Sequence, residues 1–216
     1  MKQFIITGTD TEIGKTVFSA ALMLGLEAAG KTPHYWKPIQ SGITDGVDTR
    51  TVQKLTALPD ERFLSERYIF SEPLSPHRAA EIDKIKIDVA ALRKTKNIPH
   101  TIGTLVIEGA GGLMVPLTRK NLQANIYRDW KLPVILCART GLGTINHTLL
   151  SLEALWSRKI PVHGLVFIGD DNPDNIKTLS EFSGVRVLGH LPNLYRLDET
   201  SLGNAFKENF DIEMFT

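Results

Sequence analysis

The chain has 216 residues, with 25 Lys and Arg against 24 Asp and Glu, 42% hydrophobic residues and 23% charged ones. That length suits one domain with a core of its own, and the composition excludes disordered and fibrous classes. A net charge of +1 offers no field to hold nucleic acid or an anionic membrane, and the lone Cys137 excludes an internal disulfide and a cysteine-based zinc site.

In chain order, short β-rich runs alternate with helix-like segments. The start, MKQFIITGTD, has too short an apolar run for a signal peptide, and no stretch nears the ~20 apolar residues that cross a bilayer. A cytoplasmic protein with one domain over residues 1–216 is therefore expected. Phe4–Thr7 is predicted as a strand, and Lys15–Ala29 as a helix closed by Gly30, a favoured residue just past a helix end. His34–Ile39 reads as the second strand, and Val47–Ala57 as a helix that Pro59 stops. Arg67–Phe70 suits a short edge strand ahead of the loop Glu-Pro-Leu-Ser-Pro-His at 72–77. Ile87–Lys96 is predicted helical, Thr104–Ile107 a strand and Leu122–Trp130 a helix. Pro133–Ala138 has the unbroken apolar character of a strand covered on both faces, which suits Cys137 as a buried structural thiol. Asn146–Arg158 is an amphipathic helix, and Asp174–Phe182 a helix between the strands Val162–Ile168 and Val185–Leu191.

Strands followed by crossover helices predict an α/β fold, a mainly parallel sheet flanked by helices on both faces. Ligands of such sheets bind beyond the carboxyl ends of the strands. After the first strand comes Gly8-Thr9-Asp10-Thr11-Glu12-Ile13-Gly14-Lys15-Thr16. Its Gly-Lys-Thr end is half of a phosphate-binding loop: backbone N–H groups and the helix dipole cradle an anion, lysine neutralises it, and the threonine hydroxyl serves Mg²⁺. Placed between a strand and a Gly-capped helix, it points to the P-loop nucleotide-binding fold. Five residues separate Gly8 from Gly14 where the common pattern has four. The loop is thus one residue longer, and its first half is free to face something besides the nucleotide.

A phosphate loop needs a further metal ligand. Glu108 ends the strand TLVI and opens the turn Gly109-Ala110-Gly111-Gly112, so it is a candidate for the Mg²⁺ shell, with a surface glutamate in a glycine turn as the alternative. Asp48 either joins that shell or caps the helix starting at Thr49. Lys37, with Pro38-Ile39-Gln40-Ser41-Gly42 after it, is placed to flank a transferring phosphoryl group together with Lys15; a solvated loop lysine is the alternative. His77 and His147 have no ligand spacing and are assigned structural roles.

Assembled, the segments TGTDTEIGKT at 7–16, KPIQSG at 37–42, EPLSPH at 72–77, IEGAGG at 107–112 and GLGTINHTLL at 141–150 closely resemble the dethiobiotin synthetase family. The resemblance implies an Mg²⁺- and ATP-dependent ligase of biotin synthesis. In such an enzyme 7,8-diaminononanoate takes up CO₂ as a carbamate. The carbamate attacks the γ-phosphate, and the second amine closes a cyclic urea and expels phosphate. It implies catalytic roles for Thr11, Lys15, Lys37 and Ser41, with Thr16, Asp48 and Glu108 holding the metal. The nucleotide, ATP or another triphosphate, would lie along Glu12, Ile13, Gly14, Lys15, Thr16 and Val17, and meet Glu108 and Pro192. The diamine would meet Thr11, Lys37, Ser41 and Gly111. Its far carboxylate would cross a homodimer interface to Leu142, Gly143, Thr144, Ile145 and Asn146 of the partner.

The resemblance has departures. Ile168 stands where family members commonly carry an asparagine that binds the adenine edge, Gly141 stands where some carry lysine, and the stretch after Leu191-Pro192 is unlike the family pattern. A weaker base selection is the expectation. The rival reading is a P-loop switch ATPase of the chromosome-partitioning type, but Thr9–Glu12 lacks the early lysine by which those proteins reach a second subunit. Amide-forming ligases of the same superfamily usually need an extra glutaminase domain for which this chain has no room.

Overall fold

The computed structural model describes residues 2–44 and 46–216. In chain order the elements are β1 (Gln3–Gly8), α1 (Lys15–Ala28), β2 (Pro33–Trp36), β3 (Ile39–Ser41), α2 (Asp48–Thr56), β4 (Phe63–Leu64), β5 (Tyr68–Phe70), α3 (Pro76–Ile82) and α4 (Val89–Leu92). Then follow β6 (Thr104–Glu108), β7 (Pro116–Thr118), β8 (Asn121–Leu122), α5 (Gln123–Trp130), β9 (Val134–Arg139) and α6 (Thr144–Ser157). The last are β10 (Val162–Ile168), α7 (Pro173–Ser183), β11 (Val187–Leu191) and α8 (Glu199–Asn209). The main sheet has the order β11-β10-β9-β1-β6-β2-β4, and its neighbouring strands are parallel.

The strands alternate between two cores, as a period of two requires. Phe4 and Ile6 of β1, with Ile135 and Cys137 of β9, join Phe18 and Leu22 of α1, Val52 of α2 and Leu202 and Phe206 of α8. Ile5, Leu136 and Ala138 point the other way, to Ala124 of α5, Leu152 of α6 and Leu179 of α7. Burial pushes the Cys137 thiol far up, so it is an inert filler of the first core.

The expected α/β fold and central strands are found, with local differences that have physical causes. The run His34–Ile39 is not one strand. Pro38 offers no N–H to a ladder, so β2 leaves the sheet at Trp36, and β3 pairs instead with β5. The predicted helix Ile87–Lys96 shrinks to one turn, α4, capped by the Asp88 carboxylate on the Ala91 N–H at 2.9 Å. The loop at 72–77 contributes a helix, because Pro76 takes the first helical position, where its missing N–H costs nothing. Helix α6 begins at Thr144, two residues earlier than expected, since Gly143 takes φ 90° at its N-cap. The unpredicted α8 starts at Asp198, which accepts from the Ser201 N–H at 2.9 Å, and buries Leu202, Ala205 and Phe206 on one face.

Candidate active site

Strand register assembles the charged centre. Tyr35 lies opposite Val106 and Trp36 opposite Ile107, so the chain delivers Lys37 beside Glu108, the residue after Ile107. On the other side, Ile6 of β1 is the register partner of Glu108. The phosphate loop then passes over the carboxyl ends of β1 and β6. The centre of the sheet thus carries Lys15, Thr16, Lys37 and Glu108 together.

Glu108 is 1% exposed and engages all of its acceptor capacity. Its Oε1 accepts from Thr16 Oγ1 at 2.9 Å and from Lys37 Nζ at 3.0 Å. Its Oε2 accepts from Tyr35 OH at 2.9 Å and from Ser19 Oγ at 3.1 Å. The second charge on Lys37 is Asp48, whose Oδ2 accepts from Nζ. Asp48 does not cap its helix: the N-cap is Val47, and the Asp48 N–H donates to Gln40 Oε1 at 3.3 Å. Lys37, only 6% exposed, is no solvated loop lysine, and Glu108 is no surface residue.

The electrostatics follow from this packing. Burial works against the Lys37 ammonium, but Glu108 and Asp48 outweigh it and raise its pKa. Burial likewise opposes the Glu108 carboxylate, and Lys37 and then Lys15 outweigh it, so its pKa falls below the ordinary value. Lys15 is the exception. Burial dominates there and lowers its pKa, Glu108 offsetting only part, and its Nζ donates to the Asp10 carbonyl at 3.1 Å across the stretched loop. Of the two lysines, one is already neutralised by carboxylates and the other has no carboxylate of the described residues within hydrogen-bond distance.

A cleft of about 590 Å³ opens above this centre. Its walls include Thr11, Glu12, Ile13, Gly14, Lys15, Thr16, Val17, Lys37, Ser41, Asp48, Glu108 and Gly111. Ser41 Oγ is buried and has no hydrogen-bond partner among the described residues. A second cavity of about 770 Å³ shares Glu12, Ile13, Gly14 and Val17 with the first, and adds Arg139, Ile168, Asp170, Asn172, Pro192 and Asn193. The loop is therefore a common wall between two chambers. Gly14, at φ 90°, has no room for a side chain: a Cβ would come within 2.8 Å of Ile168 Cγ2. Ile168 thus has a packing role beneath the loop. Leu142, Gly143, Thr144, Ile145 and Asn146 do not line the first cleft, and Leu142 is fully exposed.

The donor set suits a small hard cation. Thr16 Oγ1, Glu108 Oε1 and Asp48 Oδ2 are oxygens, and the Lys37 ammonium sits between the two carboxylates as a cation would. Among the described residues no three His, Cys, Asp or Glu side chains converge, so an ion here would draw on phosphate and water oxygens, as Mg²⁺ does.

Three participants were not read from the sequence. Ser19 lies three residues after Thr16 on α1, so helical spacing places it on the same face; that signal was there to use. Tyr35 lies two residues before Lys37, on the same face of the β2 run, but an aromatic in a strand reads as core. Arg139 carries no local signal: its Nη2 donates to the Thr11 carbonyl at 3.1 Å from the end of β9, a contact that only the tertiary fold creates.

Comparisons with known proteins bear on family and fold. The family described as "AAA domain" matches residues 2–201. The chain is 53% identical over 214 residues to the ATP-dependent dethiobiotin synthetase BioD of Brucella anthropi, covering 99% of this chain and 97% of that one. It is 51% identical to the protein of the same name from Agrobacterium fabrum, covering 99% and 96%, and 47% identical to that of Novosphingobium aromaticivorans, covering 100% of each. Among solved structures, the MinC:MinD cell division protein complex of Aquifex aeolicus matches at TM-score 0.54 and 12% identity, covering 95% of this chain and 86% of that one. Apo McdA of Cyanthece matches at TM-score 0.55 and 14% identity, covering 95% and 90%. At such identities those two share the fold alone. No helix is long and apolar enough to cross a membrane among the described residues. With half of its residues identical to these relatives along nearly its whole length, the chain belongs to the ATP-dependent dethiobiotin synthetase family.

Proposed function

We propose that the two chambers flanking the stretched loop carry out the dethiobiotin synthetase reaction, with Mg²⁺·ATP and 7,8-diaminononanoate meeting above Glu108. The observation that carries this reading is the convergence of Lys15, Thr16, Lys37, Asp48 and Glu108 in one cleft that also contains the Ser41 hydroxyl, unpartnered among the described residues. The triphosphate lies along Glu12–Val17, with its outer end over Lys15 and its base end toward Pro192 in the second chamber. Thr16, Asp48 and Glu108 hold the Mg²⁺. That ion would supply neutralisation of the phosphoryl charge.

The chain's own groups do the rest. Thr11 and Ser41 orient the diamine, one amine of which combines with CO₂ and releases a proton to give a carbamate. A carbamate oxygen attacks the γ-phosphorus and ADP leaves; the second amine then attacks the carbamate carbon, loses a proton and expels phosphate as the ring closes. Lys15 and Lys37, both largely buried, flank the moving charge as fixed, preorganised cations. A direct test is phosphate release by the purified protein. It should require diamine, CO₂ and Mg²⁺·ATP together; hydrolysis that ignores the diamine would instead favour a switch ATPase.

The tail of the diamine is bound by a second copy of the chain in this reading, through Leu142–Asn146 at the start of α6, whose N–H groups suit a carboxylate. Two features support a homodimer: that loop does not line the cleft of its own subunit, and Leu142 and Leu150 are exposed beside it. Asn146→Ala is expected to raise the diamine KM about tenfold, one hydrogen bond's worth, while the ATP KM changes less than twofold. Equal changes in both would remove the assignment.

Base selection is weak in this reading, because Ile168 presents only carbon to the second chamber and phosphate contacts dominate affinity. Measured kcat/KM for ATP, GTP and CTP should agree to within about 100-fold, or about 2.7 kcal/mol. A wider gap would identify a polar base reader among the Asp170–Asn193 group.

A further inference from the structure

We propose that Tyr35 and Ser19 are positioning residues that lock Oε2 of Glu108, leaving Oε1 as the single oxygen presented to Thr16, Lys37 and the divalent cation. This rests on the reading of Glu108 as a metal ligand and adds what makes it an effective one. A carboxylate offers about four acceptor directions, two per oxygen. Here Thr16 and Lys37 take Oε1, and Ser19 and Tyr35 take Oε2.

The two pairs differ in surroundings. Thr16 and Lys37 line the cleft, where incoming ligands can replace them. Ser19 and Tyr35 are fully buried and do not line it. The Tyr35 ring belongs to the core beneath the sheet with Phe18, Met23 and Val106, and only its hydroxyl reaches the strand ends. That hydroxyl donates to Glu108 Oε2 at 2.9 Å. Ser19, on the first turns of α1, has its Oγ on the same oxygen.

A carboxylate fixed this way cannot rotate about its terminal bond. The ion therefore meets one oriented oxygen at no cost in side-chain freedom, as hydrogen-bond partners behind metal ligands generally arrange. A free carboxylate would instead sample two-oxygen contacts with Lys37 and hold that ammonium more tightly against the metal.

The test uses Tyr35→Phe, Ser19→Ala and the double variant, with Glu108→Gln as reference. Two quantities are read: the Mg²⁺ concentration that half-saturates binding of a fluorescent ADP, and the Mg²⁺ activation constant at saturating ATP. Each single change is expected to raise both about tenfold and the double about 100-fold, within the range for groups behind a metal ligand. Excess Mg²⁺ should restore kcat, and the diamine KM should stay within twofold. If all three variants keep the wild-type Mg²⁺ requirement within twofold, the residues merely support the fold, whatever their melting temperatures, and the proposal is overturned. If Glu108→Gln itself leaves the requirement unchanged, the metal reading of Glu108 fails instead, and the proposal falls with it. Should the double variant not fold, the singles decide the matter.

Discussion

Lys37→Met should reduce kcat about 10²–10³-fold, the scale of losing one preorganised charge at a reacting centre, while ADP affinity changes little. This ammonium is held by Asp48 and Glu108, with no hydrogen bond to the loop among the described residues, so bound product has little to lose. The same substitution has a cost in stability. It strands a Glu108 carboxylate that is almost wholly buried, a defect worth about 3–5 kcal/mol, or about 6–20 °C in melting temperature at this length. The pH dependence should change sign. In the wild type Glu108 has a lowered pKa, so it contributes stability above the unfolded value of about 4.3 and loses it as pH falls through the folded one. Without Lys37 burial prevails, the pKa rises, and stability declines as pH climbs from about 4.3 to the new value. The gap in melting temperature between the two proteins should widen from roughly pH 4.5 to roughly pH 8, and Mg²⁺·ADP should narrow it by replacing the missing cation. A loss of kcat below tenfold, or ADP affinity falling in step with kcat, would remove Lys37 from the transferring group.

Lys15→Met should behave in the opposite way. Its ammonium spans the stretched loop to the Asp10 carbonyl and has no carboxylate partner among the described residues, so phosphate is the counter-charge it lacks. Two charge-assisted contacts at about 1.5–3 kcal/mol each set the expected loss of ATP and ADP affinity at about 10²–10⁴-fold. The protein without ligand, however, should melt higher. Lys15 has a lowered pKa, so carrying its charge costs stability below that value, and a well-packed apolar side chain removes the cost. Calorimetry of ADP binding and thermal melts of the unliganded protein check both halves. A variant that binds ADP normally would show that the loop N–H groups alone hold the phosphates.

The contrast between these lysines shows what the chain declares locally and what it does not. Lys15 was legible because the reasons for it are adjacent: a strand, a turn with glycines and a helix start lie within fourteen residues, Gln3–Thr16. Glu108 was legible as an acid at a strand end before glycines. Its burial was not, because Ser19, Tyr35 and Lys37 reach it from 89, 73 and 71 residues away in sequence. The break after Trp36 was open to reading, since Pro38 cannot donate to a ladder, yet the apolar run around it concealed the change of sheet. Helix α8 was missed for another reason: its apolar residues make a stripe only when the Asp198 cap sets where the helix begins.

The sequence alone determined the alternation of strands and helices, the phosphate loop with its extra residue, and the acids and lysines at strand ends, because each depends on neighbours a few positions away. The tertiary structure decided which of those charges meet and in what state. Parallel register set Lys37 against Glu108, the paired charges outweighed burial and moved their pKa values in opposite directions, and Leu142–Asn146 stayed off the walls of the cleft. Those outcomes depend on dielectric and distance between elements remote in sequence, quantities that come into being only when the layers close on one another.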